Sequence, residues 1–131
     1  MLRLALLVAF AAPLAAQPLP SGTWTGTLTD GDGDRSAVTA EIERCTGGFA
    51  LVLEVGGRTA VVPETAPATW TRGRLQFETE RVRMPGTVLP RALACDLEAD
   101  DDGVLGGTCS AGRFEYALSI SPPSNASFGC D

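Results

Sequence analysis

Apolar and polar residues alternate along most of the chain, and this pattern predicts β-strands. In Gly22–Thr29 (GTWTGTLT), Trp24 and Leu28 fall on one parity and the threonines fall on the other. The same period recurs in Ser36–Arg44 and, near the end of the chain, in Gly112–Ile120. A period of two is typical of a strand with one buried face and one face in water. Nothing after the first twenty residues has the period of a long amphipathic helix, so the predicted fold class is all-β.

Glycine-containing turns separate the predicted strands and indicate hairpins. Gly47-Gly48 and Gly56-Gly57 each lie between two apolar runs, and glycine takes the positive φ of a tight hairpin without strain. The acidic stretch Asp100–Gly103 separates two late strands and has the composition of a turn. The apolar parity slips near Glu80, which predicts a bulge or a break there.

About eight or nine short strands joined in sequence predict an antiparallel meander. A meander of this size hides its edges best by closing on itself, and an eight-stranded barrel is the simplest closed form. The interior of such a barrel is just wide enough for side chains or for one small ligand. A packed core and an open cavity are therefore both compatible with the sequence. The residues predicted to face inward are Trp24, Leu28, Ile42, Phe49, Leu51, Leu53, Leu75, Phe77, Leu97, Leu105, Phe114, Tyr116 and Leu118.

Two motifs on these strands carry a resemblance to a known family. The first is Gly22-x-Trp24-x-Gly26, and the second is the late pattern L-x-G-T-C-S-x-G-x-F-x-Y-x-L, which begins at Leu105. With the meander of short strands, they resemble the small lipocalin-like barrel domains of exported bacterial proteins. In lipocalins this tryptophan closes one end of the barrel, often beneath an arginine from the end of the sheet. The resemblance implies that role for Trp24 and makes Arg113 the candidate arginine. The chain is shorter than a lipocalin and lacks the family's other loop motifs.

The first twenty residues, MLRLALLVAFAAPLAAQPLP, have the composition of a secretory signal peptide. A basic residue, Arg3, precedes the apolar run Leu4–Ala12, and small residues follow at Ala15-Ala16. The run is too short to span a membrane, which takes roughly 20 apolar residues. The predicted organisation is a signal peptide over residues 1–16, a barrel domain over residues 17–120 and an irregular C-terminal strap over residues 121–131. The predicted location is outside the cytoplasm, either secreted or periplasmic.

The four cysteines are predicted to form two disulfides, because an even number of cysteines in an exported chain is typical of a disulfide framework. Cys95 and Cys109 share the parity of neighbouring leucines. Folding the chain about Asp102 places them opposite each other on one hairpin, within bridging range. Cys45 and Cys130 are then left to pair and to anchor the tail. Other pairings stay open, since four cysteines allow three connectivities.

The charge balance limits the classes of partner. The chain has a formal charge of −6, and arginine is its only basic residue. An acidic surface argues against nonspecific binding to nucleic acid or to anionic lipid, because a positive field does most of that work. We predict no nucleic-acid partner and no membrane insertion. Glutamates at positions 78 and 80 lie within the one arginine-rich region, so we predict a solvated, charge-paired strand face there rather than an anion site. Its arginines are Arg72, Arg74, Arg81, Arg83 and Arg91.

The stretch TDGDGDRS places Asp30, Asp32 and Asp34 on alternate positions, which mimics the start of an EF-hand calcium loop. Two features spoil the match. Arg35 stands where that loop needs glycine for its sharp turn, and the flanking segments are strands rather than helices. We therefore predict a hairpin tip, and a looser calcium site built from the three aspartates is the alternative.

Side chains suited to catalysis are scarce. The chain has no histidine and no lysine, so it lacks the Ser-His-Asp, Cys-His and Ser-Lys arrangements and any histidine-bound metal. Paired carboxylates stay open as a route to glycoside hydrolysis, but the acids fall at predicted turns and on outward strand faces. The prediction is a protein that is not an enzyme and that has no cofactor.

Three functions fit this description, and we rank them in the order given. The first is a monomeric secreted carrier of a small apolar molecule, with wall residues Trp24, Phe49, Phe77, Phe114 and Tyr116. The second is an interaction module with a packed interior, such as an inhibitor or an envelope accessory protein, that binds an extracellular protein. The third is a calcium-dependent surface protein that uses the aspartates of TDGDGDRS. An internal cavity would favour the first, and a filled core with an exposed apolar loop, expected within Val61–Trp70, would favour the second.

Overall fold

The computed structural model describes residues 19–43 and 50–124, and within these ranges the chain forms one nine-stranded antiparallel sheet. The predicted signal peptide, the predicted Gly47-Gly48 turn and the predicted C-terminal strap beyond Ser124 lie outside the described residues. The strands are β1 (Gly22–Thr29), β2 (Arg35–Glu43), β3 (Ala50–Val55), β4 (Arg58–Val61), β5 (Thr69–Thr71), β6 (Arg74–Glu78), β7 (Ala94–Ala99), β8 (Leu105–Ala111) and β9 (Phe114–Ser121).

The sheet is a meander whose first and last strands pair with each other. Its order is β4-β3-β2-β1-β9-β8-β7-β6-β5, so the two edges, β4 and β5, follow each other in the sequence. The β1–β9 pairing runs from Thr25 opposite Ser121 to Thr29 opposite Ala117. The sheet curls into a half-barrel. The predicted all-β antiparallel meander is confirmed, with one more strand than the eight of the simplest closed barrel.

The alternation seen in the sequence separates a buried face from an exposed one. In β2, Val38, Ala40 and Ile42 are buried, and Thr39 and Glu41 between them are exposed. The buried side chains of every strand except β5 belong to one continuous apolar cluster. Full burial of a leucine or isoleucine side chain is worth about 1.5–3 kcal/mol, so this cluster holds the sheet in its curled form.

Two hairpins use the same kind of tight turn with different residues. Gly56 and Gly57 have φ of 53° and 82°, as a two-residue type I′ turn requires. Between β5 and β6, Arg72 and Gly73 take φ of 54° and 77°. Arg72 is the one described non-glycine residue with positive φ, which costs an L-residue roughly 1–2 kcal/mol. Gly73 suits the second position of this turn, but no sequence pattern indicates the strain at Arg72.

The break predicted near Glu80 is confirmed. Strand β6 ends at Glu78, and the buried hydroxyl of Thr79 accepts a hydrogen bond from the Leu93 amide at 3.0 Å. The Glu80 amide then turns away from β7 and donates to the Val61 carbonyl of the edge strand β4 at 2.7 Å. Pairing with the β7 side resumes in a single bridge between Val82 and Arg91. The chain between these two residues forms a loop, which we call the 83–90 loop.

Candidate interaction surface

The aromatic residues predicted to line a ligand cavity lie in the packed core. Trp24, Phe77 and Tyr116 are 1%, 6% and 4% exposed and belong to the continuous apolar cluster. Phe114 is partly buried and packs against the same cluster, and Phe49 lies outside the described residues. Three surface hollows in the described part of the chain are lined by other side chains. The described aromatic side chains therefore pack in the core or against it.

The Trp24 end of the sheet is covered by the chain that precedes β1. The Trp24 indole donates from Nε1 to the Pro20 carbonyl at 3.1 Å, and Leu19 is fully buried beside the core. Arg113, the candidate arginine over this tryptophan, is wrongly placed for that role. It lies in the turn between β8 and β9, whereas the residue of β9 next to the Trp24 end is Ser121. An eight-residue strand is about 26 Å long, so Arg113 and Trp24 lie near opposite ends of β9.

The opposite end is covered by the start of the 83–90 loop, and we call it the loop end. Met84 is 2% exposed, so its side chain is buried in the core. The Tyr116 hydroxyl donates to the Pro85 carbonyl at 3.1 Å. Pro85 Cγ lies 4.0 Å from the position that a Cβ would take at Gly56, so the loop reaches from the β7 side to the β3–β4 turn. Burial, with the nearby charge of Asp30, raises the pKa of Tyr116 above its ordinary value and keeps the hydroxyl protonated.

A tight turn then directs the rest of this loop into solvent. The Thr87 amide donates to the Met84 carbonyl at 3.1 Å, the Thr87 hydroxyl bonds the same oxygen at 2.7 Å, and Gly86 has φ of 82°. Proline followed by a glycine of positive φ is the signature of a type II turn. Beyond it, Val88 is 83% exposed and Leu89 is 62% exposed. These are the two most exposed large hydrophobic side chains among the described residues.

The sequence predicts an exposed apolar loop within Val61–Trp70, but two of the three exposed large hydrophobic side chains among the described residues lie in the 83–90 loop instead. Val61 is 38% exposed, but Val62 and Ala68 are buried. The signal for the 83–90 loop was present in the sequence as Val88-Leu89-Pro90, an apolar pair followed by proline outside any alternating run. The sequence does not show that this pair lies on an ordered loop, because Met84 and Pro85 are anchored by contacts with residues far away in the chain.

The arginine-rich region is charge-paired at one position only. Arg74 and Asp96 form the one ion pair found in the described part of the chain, with Arg74 Nε donating to Asp96 Oδ1 at 2.7 Å. The Arg74 hydrogen bond lowers the pKa of Asp96, and Asp96 raises the pKa of Arg74. Arg81 and Arg91 instead line a hollow of about 460 Å³ with Glu78, beside Leu89 and Pro90. The prediction of charge pairing is therefore confirmed for Arg74 and is wrong for the other four arginines, which are Arg72, Arg81, Arg83 and Arg91.

The acidic stretch of TDGDGDRS forms a tight turn between β1 and β2. Asp30 Oδ1 accepts the amides of Asp32 and Asp34 at 2.9 Å each, and the Gly33 amide donates to the Asp30 carbonyl. Gly33 has φ of 88°. Among the described residues, no group of three or more histidine, cysteine or acidic side chains is placed to hold a metal ion. The contacts of Asp30 account for its position as a turn residue, as predicted.

The hairpin disulfide is confirmed. Cys95 and Cys109 are directly opposed across β7 and β8, and they are bonded with a Cα–Cα distance of 4.0 Å. Both side chains are buried and face the core. Cys45 and Cys130 lie outside the described residues, so their predicted pairing stays a prediction.

Comparison with known proteins gives no relative: no family model matches the chain, and no curated protein or solved structure matches it. In the part of the chain that the structure describes, no helix has the length and apolar character needed to cross a membrane.

Proposed function

We propose that the chain is a secreted or periplasmic interaction module, in which a closed and packed barrel presents the 83–90 loop to a protein partner. The observation that carries the proposal is the exposure of Val88 and Leu89, at 83% and 62%, on a loop whose base is buried. Apolar side chains on a pre-ordered loop lose little conformational entropy when they bind, so their burial contributes to affinity with a small ordering cost.

The base of the loop is held by three separate contacts. Met84 is buried, the Pro85 carbonyl accepts the Tyr116 hydroxyl, and Thr87 bonds twice to the Met84 carbonyl. Burying a leucine or valine side chain against a partner is worth about 1.5–3 kcal/mol. Two such side chains on an ordered loop can act as the aliphatic anchor that a binding interface places in a partner's pocket.

Closure of the barrel is supported by strand direction. The eight strands from β4 to β6 in sheet order alternate in direction, so β6 runs opposite to β4. The Glu80 amide, just beyond β6, already bonds the Val61 carbonyl on β4. Strand β5 would have to pair with β4 in parallel, and it lies outside the proposed ring. An eight-stranded ring has an interior that side chains can fill, which agrees with the continuous buried cluster.

The carrier hypothesis is less well supported than the interaction module. Its wall residues Trp24, Phe77 and Tyr116 are almost fully buried by protein atoms. Both ends of the barrel are covered, by Leu19 at one end and by Met84 at the other. A carrier of this design would have to displace one of these side chains to admit a ligand.

An oxidising compartment is supported by two features. The Cys95–Cys109 disulfide is of the kind that persists in secreted and periplasmic proteins. The first residues have the apolar run and small-residue site of a signal peptide.

Site-directed photo-crosslinking in the native host tests the proposal. A photoactivatable residue at Leu89 is compared with the same residue at Thr39, an exposed position on β2 away from the loop. We expect one discrete protein adduct from position 89 and none from position 39. The partner, identified by mass spectrometry and purified, should bind the unmodified protein, and Leu89→Ser with Val88→Ser should weaken that binding at least tenfold.

Equal adducts at both positions, or unchanged affinity of the double variant for the purified partner, would overturn the proposal. A small apolar molecule that copurifies with the protein and protects the core aromatic residues would favour the carrier instead.

A further inference from the structure

We infer that the hollow between Arg81 and Arg91 binds a carboxylate of the protein partner. On the partner, this carboxylate lies next to the apolar pocket that receives Leu89. The inference rests on the proposed function and specifies the partner's chemistry. Within a chain of formal charge −6, this hollow is lined in part by Leu89, one of the two most exposed large apolar side chains of the described residues, and two of its other lining residues are arginines.

The two guanidinium groups have no acidic partner in the part of the chain that the structure describes. Arg74 and Asp96 form the one ion pair there. Glu78 lines the same hollow, yet it forms no ion pair with Arg81 or Arg91. An arginine fork presents donors that match a carboxylate in two parallel hydrogen bonds. The two arginines are therefore available to an external carboxylate.

Gly112 makes room for the Arg91 side chain. A Cβ at Gly112 would lie 2.7 Å from Arg91 Nη1 and 3.2 Å from Arg91 Cζ. The guanidinium therefore lies across the β8–β9 turn, and Arg91 is partly buried. Packing of this kind restricts the rotamers of a long side chain, which lowers the ordering cost of binding.

The charge of the hollow selects a monoanion. Arg81 and Arg91 contribute two positive charges and Glu78 contributes one negative charge, so the lining carries one net positive charge. One carboxylate neutralises this charge. A dianionic phosphate would leave one negative charge uncompensated beside Glu78. A concave site of about 460 Å³ also suits an acidic side chain better than it suits a bilayer surface. The acidic protein as a whole repels anionic lipid.

The partner surface that fits is an apolar pocket with an aspartate or glutamate side chain beside it. In such a complex Leu89 enters the pocket and the carboxylate enters the hollow. The aliphatic contact provides affinity, and the charged contact fixes the orientation of the partner.

Nuclear magnetic resonance titration of the ¹⁵N-labelled mature protein tests the inference. The probe is the capped dipeptide N-acetyl-Leu-Asp-amide, and its matched control is N-acetyl-Leu-Asn-amide. We expect saturable shifts at the amides of Arg81, Arg91 and Gly112 with the aspartate peptide alone. Arg81→Gln and Arg91→Gln should each weaken this binding at least tenfold. Arg35→Gln removes an exposed arginine outside the hollow and should bind as the wild type does.

Equal shifts with the two peptides, no shifts with the aspartate peptide, or wild-type affinity of both hollow variants would overturn the inference. Flotation with phosphatidylglycerol vesicles that is lost in Arg81→Gln and Arg91→Gln would also overturn it, in favour of a membrane surface.

The two proposals fail in different ways. If the partner crosslinked at position 89 binds the hollow variants as tightly as the wild type, the carboxylate site is wrong and the interaction module stands. If the peptide titration succeeds but position 89 yields no specific adduct, the hollow binds carboxylates and the proposed function is wrong.

Discussion

At the scale of single residues, the Gly22-x-Trp24-x-Gly26 motif is explained by local packing. Gly22 has φ of 136°, and a Cβ there would lie 3.0 Å from Pro123. Trp24 is buried, and its indole donates a hydrogen bond to the Pro20 carbonyl. Gly26 lies so close to β9 that a Cβ would come within 1.8 Å of the Ser119 carbonyl oxygen. The motif therefore specifies how β1 meets β9 and how one end of the half-barrel is covered.

Gly26→Ala should destabilise the fold, because the new methyl group meets backbone atoms of β9 that cannot move independently. Overpacking of this kind typically costs about 1–3 kcal/mol, and the closeness of the contact predicts the upper part of that range. Gly31→Ala is the matched control, since a Cβ there would have no neighbour within 4 Å. Urea unfolding should show a lowered midpoint for Gly26→Ala only, and equal midpoints for the two variants would contradict the β1–β9 register.

Tyr116 should make stability fall at alkaline pH. Its folded pKa is raised, by burial first and by the charge of Asp30 second, while an unfolded tyrosine ionises near pH 10. Below about pH 10 the contribution of the protonated Tyr116 hydroxyl to the free energy of unfolding is fully present. Above that pH the unfolded state releases its proton first, so stability falls until the raised folded pKa is passed. The chain has one tyrosine and no lysine, so few other groups titrate there.

The comparison is with Tyr116→Phe, measured by urea unfolding between about pH 8 and pH 11. The variant should lose about 1 kcal/mol at pH 8 with its hydrogen bond to Pro85 and should show a much flatter pH profile. If the stability of the wild type and of Tyr116→Phe fell in parallel as the pH rose, another group would govern alkaline stability.

At the scale of elements, two acidic turns share one hydrogen-bonding pattern. Asp100 Oδ1 accepts the amides of Asp102 and Val104, and the Gly103 amide donates to the Asp100 carbonyl. The turn that begins at Asp30 makes the same contacts. The sequence revealed both turns, because aspartate followed by glycine at the position of positive φ is local chemistry.

Asp30→Ala and Asp100→Ala should therefore destabilise the protein by similar amounts, about 1 kcal/mol each for the lost turn hydrogen bonds. Calcium should leave the melting temperature of the wild type unchanged, and so should a chelator. Differential scanning calorimetry with and without calcium measures both effects. A rise in melting temperature with calcium that is lost in Asp32→Asn would restore the calcium site.

The β7–β8 hairpin was also readable from the sequence, including its disulfide. Parity placed Cys95 and Cys109 on one face, and the turn at Asp100–Gly103 set them opposite each other, as observed. Closing a loop of about 15 residues is worth roughly 3 kcal/mol in the chain-entropy account. This cross-link stabilises the sheet next to β6, where the strand ends and the chain crosses to β4.

At the scale of the whole molecule, local patterns predicted the strands and missed how they come together. Period and turn chemistry located β1 without error at its ends and indicated the break near Glu80. They could not show that the Glu80 amide bonds Val61, because that contact joins distant parts of the chain. The same limit applies to the candidate surface. The arginines were recognised as a group, but their division between an ion pair and an open hollow depends on tertiary contacts.

The central claim is that the barrel interior is filled by side chains and that function lies on the outside. Native mass spectrometry of protein secreted by its own host, before and after organic extraction, tests it most directly. We predict one mass, that of the mature chain with its disulfides formed, and no change on extraction. A stoichiometric added mass that organic solvent removes would contradict the claim and show that the protein carries a small apolar molecule.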